Sequence, residues 1–199
     1  MPTLSFGETK GVCEVAYDGE RGDSYQFPDG STWSISRAVS NWMSGFKAVV
    51  VSGNDKTVLA FAGTDSLIDA AVDIAQVLGD IPTQYREALL LTGIEMSRHG
   101  QLILAGHSLG GGLAAYCSVF TRLRAYTVNP APLIGGMTLA SLGENSQITN
   151  FVAQGGEIVS SSPGRNPGID IEVPSNGNIF SRHSLANVGP STPLPVKTS

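Results

Sequence analysis

Five residues near the middle of the chain, Gly106-His107-Ser108-Leu109-Gly110, fit the pattern G-x-S-x-G. The chemistry such a run serves is attack by a serine oxygen on a carbonyl carbon. The serine must stand on a sharp strand-to-helix turn with strained backbone angles. Small residues two positions either side let strand and helix approach, and the N–H groups of the new helix face developing negative charge. In a chain with 24 glycines the five residues alone carry little. Their context carries more. Residues 101–105 read as a buried strand directly before the turn, and 110–116 as a helix of small residues directly after it. A plain glycine-rich turn of a Rossmann-like sheet is the competing reading, and it gives the serine no reason to sit between the glycines.

A serine nucleophile needs a base, and the chain has three histidines. His107 lies beside Ser108 inside the turn and cannot fold back onto it. His99 ends the helix before the nucleophile strand, on the far side of the sheet from that strand's C-terminal edge. In the α/β-hydrolase arrangement the order is nucleophile, acid, base, which leaves His183. The acid then lies between Ser108 and His183, where Glu144, Glu157, Asp170 and Glu172 are the carboxylates. Glu144 sits in a turn between Gly143 and Asn145. Asp170 and Glu172 alternate with Ile169, Ile171 and Val173, as on the wet face of a strand. Glu157 follows a strand and a glycine pair, at the kind of strand exit where catalytic groups gather in open α/β sheets. Glu157 is favoured and Asp170 is next; a glutamate orients an imidazole as an aspartate does.

Two N–H donors are needed for the oxyanion. Leu109, directly after the nucleophile, supplies one. The other belongs on a loop after an earlier strand, where Gly63-Thr64-Asp65 places Thr64 with both a backbone N–H and a hydroxyl. Residues 66–78 form a helix-period stretch in which Leu67, Ile68, Ala71 and Val72 are among many apolar positions. It reads either as a core helix or as a lid over Ser108 that opens at an apolar surface.

These side chains require a frame, and the composition allows one. With 199 residues, 41% hydrophobic and 15% charged, the chain fits one globular domain. The fold expected is α/β, an α/β-hydrolase with a mostly parallel central sheet and helices on both faces. Residues 46–51 and 57–62 read as a hairpin, and 83–99 as a helix. Strands are expected at 124–128, 148–153 and 169–173, and a short helix at 135–142. Residues 1–45 read as a segment of turns and short strands followed by a helix from Ser31 to about Met43. Residues 190–199, with three prolines, read as a loose tail.

The formal net charge of −5, without a cluster of Lys and Arg, argues against a nucleic-acid partner. Cys13 and Cys117 either pair or stay free, and the apolar surroundings of Cys117 favour a buried thiol. Residues 1–10 show no signal-peptide pattern, and no apolar run reaches about 18 residues. A secreted bacterial effector and a cytoplasmic protein both fit. The histidines make no metal-ligand pattern, and neither a metal nor an organic cofactor is expected.

Residues 46–157 resemble the class 3 lipases, the family of fungal triacylglycerol lipases and many bacterial and plant phospholipases. The likeness rests on the hairpin, Phe61-Ala62-Gly63-Thr64, the run Gly106-His107-Ser108-Leu109-Gly110-Gly111, and Val128-Asn129-Pro130. It implies that Thr64 supplies the oxyanion hydroxyl. It puts Asp69 and Asp73 on polar positions of the next segment, Glu157 in the segment of the acid, and His183 at the late histidine. Ala62, Ala70 and Glu157 stand where the family usually has arginine, tryptophan and aspartate. The expectation is a lipase or phospholipase acting on lipid esters through Ser108, His183 and Glu157, with a membrane or micelle surface as a partner. A soluble short-chain esterase or thioesterase, and an acyltransferase, would use the same residues. A catalytically inactive lipid- or protein-binding module is the alternative from another class.

Overall fold

The computed structural model describes residues 2–63, 83–133, 147–159 and 164–199. Helix α1 (Phe6–Asp18) opens the chain. Strands β1 (Ser24–Gln26), β2 (Thr32–Asn41), β3 (Phe46–Gly53) and β4 (Lys56–Phe61) follow. Then come helix α2 (Thr83–Arg98), strand β5 (Ile103–His107), helix α3 (Leu109–Thr121) and strand β6 (Ala125–Val128). Strands β7 (Ile148–Ala153) and β8 (Ile169–Val173) precede two 3-10 turns, Ser181–His183 and Leu185–Asn187, and strand β9 (Val196–Lys197). The strands form one sheet in the order β8-β7-β6-β5-β4-β3-β2-β1-β9. Strands β4 to β8 are parallel, and the strands from β9 to β3 are antiparallel to their neighbours.

The period of two along the strands divides the core. Val49, Val51, Val58, Ala60, Ile103 and Ala105 pack with Val12, Cys13 and Ala16 of α1. Their neighbours Ala48, Val50, Leu59 and Leu104 pack with Tyr85 and Ala88 of α2 and Leu113 and Ala114 of α3. Helices thus cover both faces, because each strand carries apolar residues on both sides. The sheet separates Cys13 from Cys117, and both are buried free thiols. Among the described residues no helix is long and apolar enough to cross a membrane.

Three expectations for the ends of the chain need correction. The helix expected from Ser31 to Met43 is strand β2. Trp33 and Ile35 are buried while Thr32, Ser34 and Ser36 are exposed, an alternation that a helix cannot satisfy. A helix lies instead within the stretch read as turns and strands. Ser5 and Glu8 form a reciprocal capping box at the start of α1. Gly11 serves close packing there, since a Cβ on it would lie 2.3 Å from the Phe27 ring. The order in 1–45 is therefore helix, strand, strand. The tail is not loose: Val196 and Lys197 pair with β1, and Lys197 Nζ lies 2.8 Å from Asp23 Oδ1. The helices expected at 66–78 and 135–142 lie outside the described residues.

Candidate active site

Ser108 is the single residue between β5 and α3. Its φ of 57° and ψ of −126° fall in a region rarely adopted by residues with a Cβ, at a cost of about 1–3 kcal/mol. The surrounding backbone imposes that conformation. The Ser108 N–H donates to the Val128 carbonyl at 3.2 Å, and its own carbonyl accepts from Gly112 N–H at 3.1 Å and Ala131 N–H at 2.8 Å. The flanking glycines permit the close crossing. A Cβ on Gly106 would lie 2.1 Å from the Gly110 carbonyl oxygen, and one on Gly110 would lie 2.1 Å from that of Phe61.

Glu157 and His183 meet from two loops. Glu157 follows β7 and the pair Gly155-Gly156, both with positive φ. His183 closes the 3-10 turn Ser181–His183. Its Nδ1 lies 2.6 Å from Glu157 Oε2, and that oxygen also accepts Val159 N–H at 2.7 Å. Both residues are buried. A carboxylate only accepts, so Nδ1 carries the proton and Nε2 of the neutral ring carries the lone pair. Among the described residues, His183 Nε2 and Ser108 Oγ are both buried and have no hydrogen-bond partner. Unpaired polar atoms are rare in protein interiors, and they mark places where something else is meant to bind or react.

The acid and base loops are tied together and to the sheet. Arg182 Nη1 donates to the Gly155 carbonyl at 3.0 Å, and Ile158 N–H donates to the Ile179 carbonyl at 3.1 Å. Asn129, at the exit of β6 with φ 42°, accepts Ala153 N–H at 2.9 Å. Its amide donates to the carbonyls of Arg182 at 3.0 Å and His183 at 3.4 Å. The sequence marked Asn129-Pro130 as a strand exit but assigned Asn129 no task.

The sequence excludes His107 as the base and marks no other task for it. It is buried, with Nε2 2.7 Å from the His183 carbonyl and Nδ1 2.7 Å from the Tyr17 hydroxyl. Burial, and secondarily the neighbouring His183, push its pKa down to about 3. Tyr17 comes from α1, so the helix missed in the sequence reaches the site.

The remaining candidates fall as follows. Asp170 lies in β8, where its Oδ1 accepts from Asn150 Nδ2 at 2.8 Å. Glu172 is exposed on the same strand, and His99 lies 3.2 Å from Glu95 at the opposite edge of the sheet. Leu109 begins α3, so its N–H has no acceptor within the helix. A Cβ on Gly63 would lie 3.1 Å from Ser108 Cβ, which places the exit of β4 against the nucleophile. Thr64, Leu67, Ile68, Ala71, Val72 and Glu144 lie outside the described residues.

A family model described as phospholipase-like, Tle-like phospholipase domain, matches residues 33–158. An extracellular phospholipase A1 of Serratia liquefaciens is 37% identical over 116 residues, covering 58% of this chain and 36% of that protein. The chain thus matches only about a third of that curated relative's length. Among solved structures, a triacylglycerol lipase from Penicillium expansum superposes with a TM-score of 0.59 at 15% identity, over 96% of this chain and 81% of that one. Lipase II from Rhizopus niveus gives 0.58 at 20% identity, over 86% and 78%. These superpositions show a shared α/β-hydrolase fold, the class expected from the sequence.

Proposed function

The chain belongs to the Tle-like phospholipase domains, and from that membership we propose that it hydrolyses a carboxylic ester of a glycerophospholipid through an acyl-enzyme on Ser108. One observation carries the proposal. Ser108 Oγ on its strained elbow, and His183 Nε2 on a ring whose other nitrogen is held by Glu157, are both buried and unpartnered among the described residues.

The steps follow from those atoms. His183 Nε2 takes the Ser108 proton as Oγ attacks the ester carbonyl. Glu157 keeps the Nδ1–H tautomer and stabilises the imidazolium. The oxyanion is held by the Leu109 N–H and, by the sequence reading, by Thr64; one such donor is worth about 3 kcal/mol of barrier. His183 then protonates the departing alcohol. A water molecule attacks the acyl-enzyme and gives one proton to His183; the Oγ–acyl bond then breaks as His183 returns that proton to Ser108, releasing the fatty acid.

The name of the Serratia liquefaciens relative supports an sn-1 ester as the bond cut and the cell exterior as the place of action. A micelle or membrane surface presents such a substrate. The test is hydrolysis of phosphatidylcholine micelles and of p-nitrophenyl butyrate by wild type and S108A side by side. Cleavage of phosphatidylcholine by wild type alone is the expected result. Cleavage of the butyrate alone would replace the lipid with a soluble ester. A wild type inert on both would point to another substrate class or to a binding module, which a fluorophosphonate label on Ser108 separates.

A further inference from the structure

We infer that His107 is a positioning residue for His183, acting through the backbone of the base loop and held in one tautomer by the Tyr17 hydroxyl. The inference rests on the reading of His183 as the base, and adds to it where that base gets its orientation.

Turn bonds order the base loop, with Arg182 N–H on the Asn178 carbonyl at 2.9 Å and Asn187 Nδ2 on the Ser181 carbonyl at 2.8 Å. His183 closes one short 3-10 turn, where its N–H reaches the Phe180 carbonyl at 3.3 Å. The His183 carbonyl itself is held from outside the turn, by His107 Nε2 at 2.7 Å and by the Asn129 amide at 3.4 Å. The carbonyl of His183 can only accept, so His107 Nε2 donates the 2.7 Å bond to it. In the neutral ring Nδ1 is then the acceptor, and the Tyr17 O–H donates to it at 2.7 Å. The other neutral tautomer would set the Nε2 lone pair against the His183 carbonyl oxygen, an arrangement the buried site would not tolerate.

The two imidazole rings lie with centroids 4.8 Å apart, so movement of one presses on the other. Tyr17 also abuts the exit of β4, since a Cβ on Gly63 would lie 2.6 Å from its hydroxyl oxygen. The chain of Tyr17, His107 and the His183 carbonyl thus runs from α1, past the nucleophile elbow, to the base. The residue beside the nucleophile in sequence fixes the base from behind rather than sharing its chemistry.

The test compares H107Q, H107N, H107F and Y17F with wild type and S108A, using p-nitrophenyl butyrate kinetics and the proton resonance of His183 Nδ1–H. The glutamine amide nitrogen falls near the imidazole Nε2, whereas that of asparagine falls near Nδ1. H107F and H107N are expected to lose about 10- to 100-fold in kcat with KM within about twofold, as a misplaced base would. H107Q is expected to recover to within about fivefold of wild type. The Nδ1–H resonance should stay in place in H107Q and shift or broaden in H107F. Should H107F fail to fold, Y17F decides, with an expected loss of about 3- to 10-fold in kcat and a shifted resonance.

Equal losses in H107Q and H107F, or a folded H107F within about twofold of wild type and with an unshifted resonance, would overturn the inference. An unchanged Y17F would do the same where H107F does not fold. A wild type without Ser108-dependent turnover would instead sink the ester-hydrolase reading. The Nδ1–H resonance would still report whether His107 sets the His183 ring.

Discussion

The Oε2 atom of Glu157 accepts two hydrogen bonds at once, from His183 Nδ1 at 2.6 Å and from the Val159 N–H at 2.7 Å. The second bond comes from the same short loop and aims the carboxylate, so Glu157 reaches the imidazole already oriented. Asp170, the next carboxylate in the sequence reading, accepts instead from Asn150 across the β7–β8 pair. The two acids therefore make opposite predictions.

E157Q removes the charge that stabilises an imidazolium while keeping the side-chain shape. The expected loss in kcat is about 10²- to 10⁴-fold, with KM little changed. D170N keeps an oxygen for the Asn150 amide and should stay within about twofold of wild type. Steady-state kinetics on one soluble ester check both, and a larger loss in D170N than in E157Q would reverse the assignment.

The same substitution should act with opposite sign at two glycines. G110A drives a Cβ to within 2.1 Å of the Phe61 carbonyl oxygen, a backbone atom that cannot yield. It should cost about 3 kcal/mol or prevent folding. Gly93 is exposed on α2, and its Cβ would meet nothing within 4 Å. G93A should therefore add about 0.5–1 kcal/mol. Urea unfolding monitored by circular dichroism measures both changes.

The pKa of His107 gives a pH window. Burial first, and His183 second, push it from the ordinary value of 6.5 down to about 3. Between those values the unfolded chain binds a proton that the folded chain refuses. The stability tied to this group is thus present above about pH 6.5 and falls as the pH drops toward about 3. In an NMR titration from pH 8 to 5, His107 should not move. A His107 midpoint near 6.5 would contradict the neutral tautomer described above.

Glu8 makes a second acid-sensitive contact, at the start of the helix that carries Tyr17. Burial raises its pKa, but hydrogen bonds from Lys56, the Ser5 N–H and Asn54 outweigh that effect and hold it below the ordinary 4.5. Its contribution is present above about pH 4.5 and is lost as the pH falls through the lowered value. E8A should cost about 1 kcal/mol through the lost cap. It should also flatten the acid limb of a stability profile, which urea titrations at several pH values would reveal.

How much of this was legible in the sequence depended on the range of the forces involved. The nucleophile elbow was readable because Gly106, Ser108 and Gly110 meet a local steric requirement within five residues. The central strands were readable because Val49 to Val51 and Ile103 to Ala105 are apolar on both faces. Helix α1 was not, because Gly11 fits it through packing on the Phe27 ring, a contact that no local pattern records. Strand β2 was misread because Trp33, Ile35 and Val39 fit either period when its pairing with β3 is unknown. The roles of Asn129 and Tyr17 were hidden for the same reason. Their partners lie 53 and 90 residues away, and no local pattern records such contacts.

The claim on which the account turns is that Ser108 is an activated nucleophile, and covalent labelling tests it without knowledge of the substrate. A fluorophosphonate should add once per folded chain, at a site that peptide mapping places on Ser108. S108A should take up none, and H183A should react at least about 100-fold more slowly than wild type. A folded wild type that takes no label, or takes it at another residue, would contradict the account.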